Sequence, residues 1–528
     1  MQTPPPGRAD GLDRRRFLGL AGAMAASALY GCGGGGDAAP APTPNPTPVP
    51  TPQPGLDWSG LSRRLSGRLI LPADADYGLA APVVNMRFDA VRPQAIARCA
   101  SAADVAEVLA FVRANGLAVT PRCGGHGFGG YSTGTGVVID VGPMNAIRVD
   151  AGTATIGAGA KLADVYDQLI GQGVAIPSGT CPSVGIAGIT LGGGIGLVDR
   201  AYGLTCDNLL AAQVVTADGR LLDCDATREP ELFWALRGGG GGNFGVVTAF
   251  TFKTHPTRDL TQFEATFRFD DAARVLAAWQ AWPDGLPDAI WSYLIFSFFN
   301  PASAPVLQLS GVCIGTPDEL APHWARLLAT IGAAPLGSNV VQRSYRDTML
   351  AMCGGRTVSQ CHMPGQTPDG QLQRYPFASS SDFFDRPLPA AGIEALLQAI
   401  RSAQAGGIGG QILLDAMGGA LGRVAPDATA FPHRAALFSA EYYMNAALAG
   451  PAPTWSNGMR ATMRPWSSGG AYVNYIDPLI ADWPAAYYGA NYARLVQVKA
   501  QYDPSEVFRG PQHIPRAEIA LQGRCPVM

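Results

Sequence analysis

Apolar residues in the first part of the chain fall alternately at helical and at strand spacing. Ser101-Ala102-Ala103-Asp104 has the form of a capping box, and Val105, Val108, Leu109 and Val112 then form an apolar stripe that predicts a helix closed by Gly116. Leu117 to Thr120 reads as a short strand running into a glycine-rich loop, and Val137 to Val141 as a second buried strand. Ala154 to Ala160 leads into a helix from about Leu162 to Ile170. Val214-Val215-Thr216 and Leu221-Leu222 flank Asp218-Gly219, a hairpin signal. Glu231 to Leu236 reads as helix, and Phe244 to Thr248 returns to strand. This mixture over residues 58–257 predicts an α+β unit rather than a regular doubly wound sheet. Residues 258–470 change texture, with alternating aromatic segments and longer helices such as Ala391–Ala403, and predict a second, substrate-bearing domain. Residues 471–528 form a closing segment.

The first 57 residues stand apart from this pattern. Arg14, Arg15 and Arg16 precede Phe17-Leu18-Gly19 and an uncharged small-residue stretch to Gly31. That stretch is short for a bilayer-spanning helix, and residues 1–32 resemble a twin-arginine export signal. Leu29-Tyr30-Gly31-Cys32 resembles a lipoprotein box, apart from the bulk of Tyr30, and makes Cys32 a candidate lipid anchor. Residues 33–57 follow as a spacer in which eight prolines alternate with other residues from Pro40 to Pro54, a pattern that favours extended polyproline-like chain. The expectation is a periplasmic protein or an envelope-anchored lipoprotein.

A formal charge of −3 with 15% charged residues offers no electrostatic basis for binding nucleic acid or an anionic membrane. Any membrane contact would run through Cys32. Ten cysteines are too few to staple so long a chain. Cys353 and Cys361 are a candidate disulfide in an oxidising compartment.

The 66 glycines gather into runs, and the runs carry the candidate chemistry. Arg122-Cys123-Gly124-Gly125-His126-Gly127 places one imidazole in a backbone that a flat ligand can approach closely. The alternatives are a structural loop histidine and a metal ligand, but no second Cys/His pair stands at zinc-site spacing. Gly179-Thr180-Cys181-Pro182-Ser183-Val184-Gly185 and Gly188 form a second such segment, in which Cys181 stands between a glycine turn and a proline. Backbone N–H groups in these runs suit pyrophosphate or carbonyl oxygens. Neither run matches the G-x-G-x-x-G fingerprint, which argues against a nicotinamide dehydrogenase. Gly238 to Gly242 with Asn243 is a third close-approach segment.

In this order the motifs resemble the berberine-bridge-enzyme-like oxidases of the vanillyl-alcohol-oxidase superfamily. Arg122-x-Gly124-Gly125-His126 resembles the segment whose histidine bonds the flavin 8α-methyl carbon, and Gly179-Thr180-Cys181-Pro182 the one whose cysteine bonds flavin C6. Trp234 to Gly240 with Asn243-Phe244-Gly245-Val246-Val247 matches a further signature, and Tyr488-Gly489-Ala490-Asn491-Tyr492 with Lys499, Tyr502 and Asp503 the closing segment. The resemblance implies a two-part FAD-binding domain, a substrate domain on an antiparallel sheet, and a C-terminal segment that returns to the FAD domain. It implies one FAD held by both His126 and Cys181, with Arg122, Gly124, Gly125, Gly127, Gly179, Gly185, Gly188, Val247, Asn491 and Tyr492 around it. No metal is expected, and oligomeric state is left open.

The implied reaction is oxidation of an alcohol by hydride transfer to flavin, with reoxidation by O₂ to H₂O₂. Gly179 keeps a small residue two before Cys181, as in relatives that react fast with oxygen, whereas Ile189 replaces a histidine frequent in plant-like members. Ala471 to Asp477 resembles the segment with the active-site tyrosine. Read as a strand, it puts Tyr472 and Asn474 on one face and Tyr475 on the other. Tyr472 is the favoured base and Tyr475 the alternative, with Asp415 and Glu441 as partners on neighbouring strands. Trp291, Tyr293, Phe296, Phe298 and Phe299 are candidates for a stacking platform or for core. A carbohydrate or other alcohol is the expected substrate. An aromatic alcohol, a dehydrogenase with another acceptor, and an envelope binding module stay open.

Overall fold

A computed structural model describes residues 55–300, 302–445 and 452–517. The export signal, Cys32 and nearly all of the proline spacer lie outside the described residues. Among those described, no helix is long and apolar enough to cross a membrane.

The helix Ala102–Ala114 starts where expected, with Ser101 Oγ accepting the Asp104 N–H at 3.2 Å. The reciprocal half of the capping box does not form. The Asp104 carboxylate instead takes the N–H groups of Ser66, Gly67 and Ala100 at 2.8–2.9 Å, because three unsatisfied donors converge on it there. This helix is the crossover between two parallel strands, which no tight turn can join. The strands belong to a four-stranded sheet ordered Arg68–Ile70, Ala95–Arg98, Val137–Asp140 and Val119–Arg122. A five-stranded antiparallel sheet follows, ordered Ile147–Asp150, Thr153–Gly157, Val246–Lys253, Leu209–Val215 and Leu221–Asp225. The expected hairpin closes its edge: Val214 pairs with Leu222, and Gly219 takes φ +90° in the turn.

Residues 260–445 supply a seven-stranded antiparallel sheet in the order Gly337–Arg343, Leu260–Phe267, Val306–Ile314, Ile290–Ser297, Gly410–Ala416, Phe438–Asn445 and Phe377–Phe384. Strand alternation divides the aromatic run in two. Phe296 is buried in a core with Trp279, Leu327 and Leu396 from the covering helices, and Phe298 follows it there. Trp291, Tyr293 and Ile295 face the other way, toward a cavity. Phe299 is half-buried at the strand's end.

Arg200 ties the two halves together. Its guanidinium donates to Ile290 O at 2.9 Å and Met417 O at 2.6 Å, both in the seven-stranded half. At the other end of the chain, the helix Tyr492–Tyr502 packs on the helix Pro230–Ala235. Its Lys499 is fully buried, with Nζ donating to Asn243 O, Phe508 O and Asp503 Oδ2 at 2.5–2.7 Å. Asp503 in turn accepts the N–H groups of Val507 and Phe508. All three ammonium donors are used and both carboxylate oxygens accept, so the pair fixes the closing segment against the third glycine run.

Removing one member of such a pair leaves a buried charge alone. Lys499→Met is expected to lower unfolding free energy by about 3–5 kcal/mol, as read from denaturant midpoints. An unchanged midpoint would show that the pair does not hold the segment.

Candidate active site

The two glycine loops of the first half meet backbone to backbone. A Cβ on Gly124 would lie 2.4 Å from Gly185 N, and one on Gly185 would lie 2.0 Å from Cys123 Sγ and 2.6 Å from Gly124 N. Only residues without a Cβ allow this approach. The second loop is also pinned from below, where the helix Leu162–Ile170 begins: Leu162 N–H donates to Val184 O and Ala163 N–H to Pro182 O, both at 2.9 Å. The approach brings His126 Nε2 to 2.7 Å from Ser183 Oγ.

Between these loops and the seven-stranded sheet runs a cavity of about 690 Å³. Arg122, Gly124, Gly125, His126, Gly127, Gly179, Cys181, Gly185, Gly188 and Val247 all line it. Trp291, Tyr293, Asp415, Glu441, Tyr472 and Tyr475 line it from the other side. Arg122 serves the loop rather than the opening, since it donates to Asp140 Oδ2 at 3.1 Å and Ala81 O at 3.3 Å. Asn491 and Tyr492 do not line the cavity. Asn491 Nδ2 donates to Pro426 O and Thr429 O, and Tyr492 packs with Trp483 and Tyr488. The motif reaches the cavity through Tyr488, whose hydroxyl donates to Gly239 O at 3.0 Å.

The chemistry of the lining suits a long ligand with polar and flat parts. Tyr131, Thr133, Trp291 and Gln512 line the cavity, and their Oη, Oγ1, Nε1 and Oε1 atoms are buried without a hydrogen-bond partner among the described residues. Such atoms are costly unless a ligand or solvent satisfies them. Glycines at 124–130 and 240–242 keep side chains out of one end. These features fit FAD. Tyr131 and Thr133 escaped the sequence reading because nothing in their spacing sets them apart.

His126 is held neutral, with burial first and the Lys161 ammonium second pushing its pKa down to about 3. Cys181 is buried and disulfide-bonded. Gly179 abuts Ile189, whose Cδ1 would lie 2.5 Å from an added Cβ.

The segment holding the two tyrosines is not a strand. Val473–Tyr475 forms a 3₁₀ turn, which puts both phenols on the cavity side with ring centroids 5.0 Å apart. The Tyr472 hydroxyl accepts from Gly194 N–H at 2.8 Å, Ile195 N–H at 3.2 Å and Asn474 Nδ2 at 2.8 Å. Tyr475 stacks on Phe128, with centroids 5.5 Å apart, and directs its phenol at Glu441, with Asp415 acting on it through space. Glu441 accepts from Ser379 Oγ at 3.0 Å. Burial raises the Glu441 carboxyl to about 8 and the Asp415 carboxyl to about 7. Among the described residues no cluster suited to a metal ion occurs.

Fold and cavity together describe a flavoprotein. A family model for an FAD binding domain matches residues 93–225, and one described as berberine and berberine like matches residues 471–515. An uncharacterized FAD-linked oxidoreductase of Bacillus subtilis, YgaK, is 34% identical over 87% of this chain and 99% of its own length. The solved structure of Physcomitrella patens BBE-like 1 aligns with TM-score 0.80 at 28% identity, over 87% of this chain and 99% of that one. Glucooligosaccharide oxidase from Acremonium strictum, described as carrying a 6-S-cysteinyl, 8α-N1-histidyl FAD, aligns with TM-score 0.78 at 26% identity, over 86% and 98%. The chain belongs to the berberine-bridge-enzyme-like FAD-linked oxidoreductases of the vanillyl-alcohol-oxidase superfamily.

The loop contact makes a clean comparison possible. Gly185→Ala forces its methyl into Cys123 and is expected to cost about 1–3 kcal/mol, as overpacking does, together with lost flavin content. Gly188, with nothing within 4 Å of an added Cβ, is expected to accept alanine with no loss of melting temperature.

Proposed function

We propose that the chain oxidises an alcohol, with a carbohydrate as the favoured class, at an FAD held by both His126 and Cys181. The observation that carries the reading is the convergence of His126, Cys181, Tyr475, Glu441 and Asp415 on one cavity. When bound, FAD accepts a hydride from the alcohol carbon and passes two electrons onward, in this reading to O₂ with release of H₂O₂.

Tyr475 takes the role of base, in preference to Tyr472. A phenol oxygen already accepting three hydrogen bonds is fixed in place, and Tyr472 serves to pin its turn to the Gly194–Ile195 loop. Tyr475 instead faces two carboxyls that move its proton: the alcohol hydroxyl gives its proton to Tyr475 Oη as Glu441 or Asp415 takes the phenol's own. Trp291 and Tyr293 offer two rings, 5.1 Å apart and tilted by 34°, against which a sugar face packs. Trp291 Nε1 is available as a donor to a hydroxyl.

The disulfide at Cys181 and a flavin thioether are alternative states of one sulfur, so the double attachment requires that sulfur to be released. Proteolysis and peptide mass measurement decide the point: one flavin joining the His126 and Cys181 peptides supports the reading, and freely extractable FAD sinks it. Support for oxygen as acceptor comes from Gly179 and from the oxidase named among the structural neighbours. Export rests on the Arg14–Arg16 segment, and the Cys353–Cys361 disulfide suits an oxidising compartment. The Cys32 anchor belongs to the same proposal.

Flavin reduction, oxygen use and the pH profile test the chemistry. Stopped-flow flavin bleaching with oligosaccharides, followed by oxygen uptake and peroxide assay, checks substrate class and acceptor; bleaching without oxygen uptake would make the protein a dehydrogenase, and no bleaching by any alcohol a binding module. Tyr475→Phe is expected to lower the bleaching rate about 10²–10⁴-fold, and Tyr472→Phe far less. The raised carboxyls give the pH dependence its sign: below 7 they hold their protons and cannot accept another, so kcat/KM rises as pH passes through about 7 and 8. Asp415→Asn should remove part of that rise. A flat profile through this range would exclude the carboxyls from the proton path.

A further inference from the structure

Ser183 is a buried hydroxyl that the oxidation described above does not use. Its Oγ lies 2.7 Å from His126 Nε2, and among the described residues it makes no other side-chain hydrogen bond. The backbone on either side is fixed, with Pro182 O and Val184 O both accepting from the start of the helix Leu162–Ile170. The hydroxyl is therefore presented to the imidazole by a rigid loop, two residues beyond Cys181.

A neutral imidazole has two tautomers, each with the proton on one nitrogen and the free electron pair on the other. The hydrogen bond made by one nitrogen decides which state the other is in. We propose that Ser183 is a positioning residue for flavin attachment: it accepts Nε2–H of His126 and so leaves the Nδ1 pair free to bond the flavin 8α-carbon. This rests on the covalent reading above. The surroundings keep the imidazole neutral through burial and the nearby Lys161 ammonium, so the choice of nitrogen is the remaining variable.

The step balances with a two-electron acceptor. A proton leaves the 8α-methyl, the Nδ1–C8α bond forms with the Nδ1 pair, and Nε2 gives its proton up past Ser183 to solvent. Two protons and two electrons are thereby lost from the pair of reactants. Dioxygen takes both and becomes hydrogen peroxide. Once the bond exists, Nε2 carries the free pair, and the same hydroxyl turns to donate to it. A hydroxyl serves both states because it both donates and accepts. Alanine serves neither.

The test follows attachment rather than turnover. Wild-type, Ser183→Ala and Ser183→Thr proteins are produced under riboflavin limitation and supplied with FAD in air. Flavin on the His126 peptide and on the Cys181 peptide is then quantified over time by mass spectrometry. In Ser183→Ala the histidyl link is expected to form about 10- to 100-fold more slowly, by analogy with loss of the hydrogen-bond partner that orients a metal-ligating imidazole. The Cys181 link should continue, and Ser183→Thr should restore the histidyl rate. Attachment to His126 at the wild-type rate in Ser183→Ala overturns the role of the serine alone. Loss of both links in Ser183→Ala and Ser183→Thr alike overturns it too, since that pattern marks a packing defect. A wild-type protein without any histidyl link overturns the covalent reading and this proposal with it.

Discussion

The backbone contact between Gly124 and Gly185 is the constraint from which the site follows. Two loops separated by some sixty residues meet with no room for a Cβ on either side. Their meeting sets His126 against Ser183 and places Cys181 in the same cavity wall. The elements behind them have the task of holding that contact. Arg122 ties the first loop to the Val137–Asp140 strand, and the start of the helix Leu162–Ile170 holds the second. Such a junction tolerates no sliding, because any shift would leave buried backbone groups unpaired or drive Cys123 into the facing loop.

The far wall of the cavity works by a different physical means. Asp415 and Glu441 lie on adjacent strands of the seven-stranded sheet, where burial holds both protonated further toward alkaline pH than carboxyls in water. A low dielectric is costly for two neighbouring anions, and that cost moves both titrations toward neutrality. On the loop wall His126 is kept neutral by the same burial. His126, Asp415 and Glu441 thus meet the cavity with their charged forms disfavoured, while Arg200 and Lys499 place their charges at the joints between chain segments.

Much of this was legible in the chain. The helix at Ala102–Ala114, the hairpin at Asp218-Gly219 and the two loops were marked by periodicity and by glycine, which report local backbone needs. The tyrosine segment misled for the same reason. Tyr472-Val473-Asn474-Tyr475 alternates as a strand would, but among the described residues no strand pairs with it, and Asn474 instead binds Ile189 O and the Tyr472 hydroxyl. Tertiary hydrogen bonds therefore decided which phenol meets the carboxyls. Asn491 and Tyr492 belong to a genuine motif but act on the 426–430 segment and on Tyr488, outside the cavity. The roles of Ser183 and Lys161 arise only where segments distant in the chain meet.

Two physical demands meet at Gly179. Its smallness suits access of oxygen to a flavin, and read from sequence alone that is its whole meaning. In the fold a Cβ there would lie 2.5 Å from Ile189 Cδ1, so the present packing of Ile189 also favours glycine. Ile189 occupies the position where plant-like members often carry histidine, and it fills part of the space that the glycine leaves. The space at this point is therefore shared by the pair, and with χ1 of a helical isoleucine restricted, only the far end of its side chain can give way. Packing against Ile189 is thus a second reason for glycine at this position, and its presence alone does not mark oxygen as the acceptor.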